Sequence, residues 1–123
     1  MSDATGRPLT EQERAVLRHL LSAPIEGAQA LRDQVEAATA EGAWDDGDGP
    51  SLDLVVPASA PAAPLADGLV PVDAAVTGPD GEFAGELLLW LQDGRLAALE
   101  YAWVTDDAPT ALPAVSEITV TAR

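Results

Sequence analysis

The run Gly85-Glu86-Leu87-Leu88-Leu89-Trp90-Leu91-Gln92-Asp93-Gly94-Arg95-Leu96-Ala97-Ala98-Leu99-Glu100-Tyr101-Ala102-Trp103-Val104 decides the fold. Asp-Gly between two apolar stretches is the strongest short-range hairpin signal, because a type I′ turn needs positive φ at both central residues. Gly78-Pro79-Asp80-Gly81 marks a second turn, so Leu69 to Thr77, Glu82 to Gln92 and Arg95 to Val104 read as a three-stranded meander. A polar loop from Thr105 to Pro113 leads to a last short strand near Glu117 to Thr121. Upstream, Ser51 to Val56 alternates well enough to be a first strand. The intervening residues 57–68 carry Pro57, Pro61 and Pro64 and are expected to form an extended surface loop, since proline interrupts a ladder.

A two-residue corner pairs Gln92 with Arg95, Leu91 with Leu96, Leu89 with Ala98, Leu87 with Glu100 and Gly85 with Ala102. Odd and even residues then fall on opposite faces. One face carries Phe83, Leu87, Leu89, Leu91, Leu96, Ala98 and Val104, joined by Val72, Ala74 and Val76 if Thr77 pairs with Glu82. The other carries Leu88, Trp90, Leu99, Tyr101 and Trp103 together with Asp73, Glu86, Gln92 and Arg95, which is too apolar for an ordinary solvated face. Either the Pro/Ala loop, Trp44 or the last strand covers this second face, or it is a surface for a partner. Tryptophan and tyrosine rimmed by carboxylates are the residue types that anchor interfaces.

Two helices precede the sheet. Thr10-Glu11-Gln12-Glu13 has the form of a capping box, and Val16, Leu17, Leu20 and Leu21 recur behind it at helical spacing. Pro24 ends that helix and suits the first turn of the next, with Ser22 or Ala23 as its cap. The second stripe, Ala28, Leu31, Val35 and Ala38, is small enough for close packing, and Gly42 is placed to close it. The resulting expectation is one α+β domain over 1–123. It has a flexible N-terminus at 1–8, a helical hairpin over 10–42, and sheet at 51–56 and 69–121. Both helices are expected to pack on one face of a four- to five-stranded, mostly antiparallel sheet.

Composition narrows the chemistry. The 123 residues are 47% hydrophobic, enough for one core that needs neither metal nor disulfides. With no cysteine and one histidine, thiol nucleophiles, thiolate zinc sites and any site needing two histidines are excluded. The 21 acidic residues against 6 basic ones leave a net charge of −15, which repels a phosphate backbone, so nucleic acid is not an expected partner. All six basic residues are arginine and 24 residues are alanine, a bias that fits a GC-rich genome. Halophilic adaptation is the alternative reading of the acidity. Met1-Ser2-Asp3-Ala4 has no basic leader region, and no run has the roughly 18 apolar residues that span a bilayer, so no membrane association and a cytoplasmic location are expected.

Few residues suggest a reaction. The register puts Glu100 on the helix side, where a buried carboxylate must pair with Arg14, Arg18 or Arg32 or be held protonated as a raised-pKa acid, unless a bulge turns it outward. Asp73, Glu86 and Tyr101 fall in one cross-strand row that would share a proton or hold a cation, unless the register slips. Asp45, Asp46 and Asp48 resemble the start of a calcium loop. However, Ser51 and Pro57 stand where such a loop needs Gly and Glu, so no metal site is assigned. His19 lies off the apolar stripe, and Gly78 to Gly81 joins strands rather than opening a helix, so neither a Ser/His hydrolase nor a phosphate cradle is indicated. No cofactor motif is present.

Leu9-Thr10-Glu11-Gln12-Glu13, Gly27 to Leu31, Gly49-Pro50-Ser51-Leu52-Asp53-Leu54, and Gly85 to Trp90 running through Asp93-Gly94-Arg95 to Leu99-Glu100-Tyr101 resemble a family of small uncharacterised actinobacterial proteins. Many members carry a Cys-Gly-Cys-Gly-Cys run where this chain has Trp44 to Gly49, which removes any thiol role here. The resemblance implies two helices with an antiparallel sheet and no established activity. Two functional readings remain. One is a non-catalytic acidic interaction module that binds a basic protein or self-associates as a homodimer through Leu88, Trp90, Leu99, Tyr101 and Trp103 with Asp73 and Glu86. The other is a small-ligand- or cation-binding protein or minor enzyme using Glu100 or the Asp73/Glu86 pair.

Overall fold

The computed structural model describes residues 7–43, 51–106 and 109–122. It is α+β, with strands β1 (Arg7–Pro8), β2 (Thr39–Ala43), β3 (Leu52–Val55), β4 (Gly68–Leu69), β5 (Val72–Thr77), β6 (Phe83–Gln92), β7 (Arg95–Trp103) and β8 (Ile118–Ala122). The helices are α1 (Glu11–Leu20) and α2 (Ala28–Ala37). The strands form one sheet in the order β1-β2-β3-β7-β6-β5-β8, with β4 pairing beside the far half of β6. Every pairing among the described strands is antiparallel.

Eight strands replace the expected four or five, chiefly because the stretch after α2 is not helical. Ala38 turns to an extended conformation with ψ 149°, and Thr39–Ala43 pairs with β3 instead of continuing the helix to Gly42. β-Branched Thr39 favours that change. Of the expected flexible tail at 1–8, Arg7 and Pro8 pair with Ala40 and Thr39 as β1, while residues 1–6 lie outside the described residues. Pro71 splits the expected strand 69–77 into β4 and β5, since proline cannot donate to the ladder. The start of α2 also moves. Its cap is Gly27 rather than Ser22 or Ala23, because the chain first makes a tight turn in which the Ile25 amide donates to the Ala23 carbonyl.

The capping box at Thr10 is present. Thr10 Oγ1 accepts from the Glu13 amide at 3.0 Å, and Glu13 Oε1 accepts from the Thr10 amide at 2.8 Å. Arg7 adds a two-pronged contact to the same carboxylate, with Nη1 to Oε1 at 2.9 Å and Nη2 to Oε2 at 2.7 Å, tying β1 to α1. The core behind these caps joins Val16, Leu17, Leu20, Leu21, Leu31 and Val35 of the helical region to Leu87, Leu89, Leu91, Leu96 and Leu99 of the sheet.

The corner at 93–94 is tight. Gln92 pairs with Arg95, Asp93 and Gly94 have φ of 56° and 75°, and a Cβ on Gly94 would lie 2.5 Å from the Ala63 carbonyl oxygen. That close approach shows where the Pro/Ala loop goes. The Ala63 amide donates to the Gly94 carbonyl at 2.8 Å, and the Arg95 guanidinium reaches the carbonyls of Ala58 and Ala60. Gln34, fully buried in α2, closes the joint: its Nε2 donates to the carbonyls of Pro61 and Gly94 at 2.8 and 2.9 Å, and its Oε1 accepts from the Leu96 amide at 3.0 Å. The loop is pinned to α2 and the corner, not laid over the second sheet face.

Beyond the corner the hairpin departs from the uninterrupted register. Leu91 pairs with Leu96, but Trp90 pairs with Ala98, so Ala97 is an extra residue in a β-bulge. From there Leu89 faces Leu99, Leu88 faces Glu100 and Leu87 faces Tyr101. Leu99 and Tyr101 therefore join the core, and Ala98 and Glu100 move to the other face, the reverse of the assignment made from alternation alone. A second bulge lies between β5 and β6, where Val76 pairs with Gly85 and Thr77 with Phe83 rather than Glu82. Phe83, expected inside, is 56% exposed, and Val104, past the end of β7, is 62% exposed.

The Arg7–Glu13 contact has a pH signature. Burial alone would raise the Glu13 carboxyl, but the bonds from Arg7 and Thr10 outweigh it and hold it below its ordinary value. A depressed folded pKa lends stability in full above the unfolded value and loses it as pH falls through the folded one. Glu13→Gln, which keeps a capping side chain, is therefore expected to cost about 1 kcal/mol at neutral pH. In urea titrations the gap to the parent protein should close as pH drops below about 4.3. A gap that stays constant from neutral to acid pH would contradict the assignment.

Candidate functional site

The face of the sheet turned away from the helices is built from residues of β2 to β8. In one cross-strand row Glu41 pairs with Asp53, Asp53 with Ala98, Ala98 with Trp90 and Trp90 with Leu69. In the next row on that face Leu88 pairs with Glu100, and in the one after it Ala102 pairs with Glu86 and Glu86 with Ala75. Asp73 follows two residues along β5 and pairs with Thr121 of β8. The result is an apolar centre of Trp90, Leu88, Leu69 and three alanines inside a ring of carboxylates. Trp90 and Leu88 are half-buried, and Trp90 Nε1 donates to Glu100 Oε1 at 3.1 Å, which holds the indole across the strand.

Several expected members lie elsewhere. Leu99 and Tyr101 point into the core, and Trp103 sits at the rim opposite Gly85, 36% exposed. Asp73 and Glu86 do come together, in a shallow depression of about 190 Å³ that also includes Phe83, but the Ala97 bulge carries Tyr101 to the opposite side. For Glu100 the outward-turning bulge is the alternative the structure takes, and the buried placement is corrected. The residue is half-exposed beside Trp90, not enclosed among helices, so it pairs with none of Arg14, Arg18 and Arg32 and is no buried acid. Arg18 binds Glu36, and Arg32 donates to the Leu21 carbonyl at 2.6 Å. Trp44 and the Asp45, Asp46 and Asp48 turn lie outside the described residues.

Carboxylates predominate on this face, with Glu41 and Asp53 as direct cross-strand neighbours. Of the described arginines, Arg7 lies on β1 and Arg14, Arg18 and Arg32 lie on the helices, while Arg95, paired with Gln92 on this face, turns its guanidinium to the loop carbonyls. Among the described residues no group of three or more histidine, cysteine, aspartate or glutamate side chains could hold a metal ion, and no helix is long and apolar enough to cross a membrane. The arrangement can desolvate an apolar or cationic side chain against Trp90; it holds no nucleophile–base pair.

Alternation placed Gln34 nowhere, yet it is fully buried and its side chain joins the loop, the corner and β7. Its signal was present in the helical stripe, since Leu31, Gln34, Val35 and Ala38 share one face at i, i+3, i+4 and i+7. Compared with models of protein families, with curated proteins and with solved structures, the chain shows no match.

Gln34 and Glu100 are expected to behave oppositely on substitution. Glu100→Gln keeps an acceptor for the Trp90 indole at a half-exposed site and should change unfolding free energy by no more than about 0.5 kcal/mol. Gln34→Leu strands the buried Leu96 amide and two carbonyls and should cost about 2–3 kcal/mol. Denaturant melts of both variants check this, and a large loss for Glu100→Gln would place that carboxylate back in the core.

Proposed function

We propose that this protein is a non-catalytic interaction module that docks a basic protein segment on the Trp90 face. The observation that carries the reading is the arrangement itself: an aromatic anchor held by Glu100 at an apolar centre, with Glu41, Asp53, Asp73 and Glu86 around it. Buried aromatic anchors inside a polar rim are where interfaces concentrate their binding energy. Charge also decides between the two kinds of partner. Two copies of a chain with net charge −15, meeting through this carboxylate-rimmed face, repel each other, whereas a basic segment is drawn in at a rate that depends on salt.

The test is a titration of the full chain with a short synthetic peptide that alternates arginine and leucine, followed by amide chemical shifts. The reading expects saturable shifts centred on Leu88, Trp90, Ala98 and Glu100, weakening steadily as salt is raised. Trp90→Ser should lower affinity by at least about tenfold, the loss typical of a central aromatic anchor. Shifts scattered over all acidic surfaces and indifferent to Trp90→Ser, or light scattering that shows a stable dimer closing this face, would overturn it.

A further inference from the structure

At the other end of the sheet, on the core side, lies a cleft of about 520 Å³, within the range of small-molecule sites. One wall is the β5–β6 turn, closed by hydrogen bonds from the Gly78 amide to the Glu82 carbonyl at 2.8 Å and from the Gly81 amide to the Gly78 carbonyl at 2.9 Å. The facing wall is the segment 109–117. Gln12 Nε2 anchors it to α1 by donating to the Pro113 carbonyl at 2.8 Å, and a 3-10 turn at Val115–Glu117 brings in the Glu117 carboxylate. The cleft is thus walled by two fixed segments.

Its floor is Tyr101, delivered there by the Ala97 bulge. The residue is only 6% exposed, and no hydrogen bond joins its hydroxyl to a described residue; its backbone amide donates to Ser51 Oγ. Burial first, and the negative charge of Glu117 second, push the phenol above its ordinary pKa, so it stays protonated. Gly85 makes the space: φ there is 149°, and a Cβ would lie 2.5 Å from the Ala102 carbonyl oxygen and 3.0 Å from the Tyr101 ring. The bulge at Ala84 meanwhile turns Phe83 out of the core and onto the cleft mouth. Asp80, Glu82 and Glu117 line the same space, and no described arginine or histidine does.

We infer that this cleft binds a small organic ammonium ion with an apolar body. The Phe83 and Tyr101 rings and the Glu117, Asp80 and Glu82 carboxylates take the charged head, and Val76 and Leu112 take the apolar part. Ring faces attract a desolvated cation, and carboxylates on the walls replace its lost water. The buried phenol, with no hydrogen bond from its hydroxyl to a described residue, offers the remaining polar contact. The site is separate from Trp90, although Phe83 borders both the cleft and the Asp73/Glu86 depression.

The experiment uses the full chain with benzylammonium, and with benzyl alcohol as its neutral counterpart, at about 150 mM salt to suppress loose counterion binding. Amide shifts are read in the intact protein. The expected result is saturable movement at Gly78 to Phe83, Tyr101 and Ala111 to Glu117 with benzylammonium, and a much weaker response to benzyl alcohol. Glu117→Gln should weaken binding about fivefold, equivalent to losing roughly 1 kcal/mol of charge pairing, while Trp90→Ser leaves it unchanged. Phe83→Ser removes an exposed ring and should weaken binding with no loss of fold. Equal response to both probes, shifts that never saturate and follow acidic residues everywhere, or indifference to Glu117→Gln and Phe83→Ser would overturn the assignment.

Discussion

The architecture depends on one unpaired residue, Ala97. Without the bulge, alternation along β7 would bury Glu100 against the helices and turn Leu99 and Tyr101 to the outside. Burying an unpaired carboxylate costs several kcal/mol, and leaving a leucine and a tyrosine in water forfeits about 2–3 kcal/mol each. One extra residue in a strand of two adjacent alanines reverses all three placements, at the cost of a local break in the ladder. The bulge also creates both candidate sites. It sends Glu100 across to Trp90, and it turns the Tyr101 ring over Gly85 and into the cleft.

The same comparison shows what could be read in the chain beforehand. The Asp93-Gly94 corner, the Thr10 capping box, the two helices and the inward positions of Leu87, Leu89, Leu91, Val72, Ala74 and Val76 follow from local signals, and the structure has them all. Between Leu96 and Leu99 the signal fails, because Ala97 and Ala98 are alike in size and polarity and either can be skipped. The information that decides lies further on: Leu96, Leu99 and Tyr101 want the core and Glu100 does not, and only a one-residue slip satisfies all four. Short strands were lost for another reason. β1, β2 and β4 are stabilised by neighbours distant in sequence, so their own residues carry little strand preference.

The acidity has a structural distribution as well as a total. On the helices, carboxylates are used locally, Glu13 in the cap with Arg7 and Glu36 with Arg18. On the outer sheet face and at the cleft they are concentrated around aromatic rings. Gln34 and Arg95 hold the Pro/Ala loop to the hairpin corner and thereby keep it off the Trp90 face. That division ties the functional reading to the fold: the loop that could have shielded the outer face is fastened elsewhere.

The most direct test is to record cross-strand proton contacts between β6 and β7 in solution. The account predicts that Leu89 lies opposite Leu99 and Leu87 opposite Tyr101, with Ala97 unpaired. Contacts that instead place Leu89 opposite Ala98 and Leu87 opposite Glu100 would remove the bulge and with it both sites.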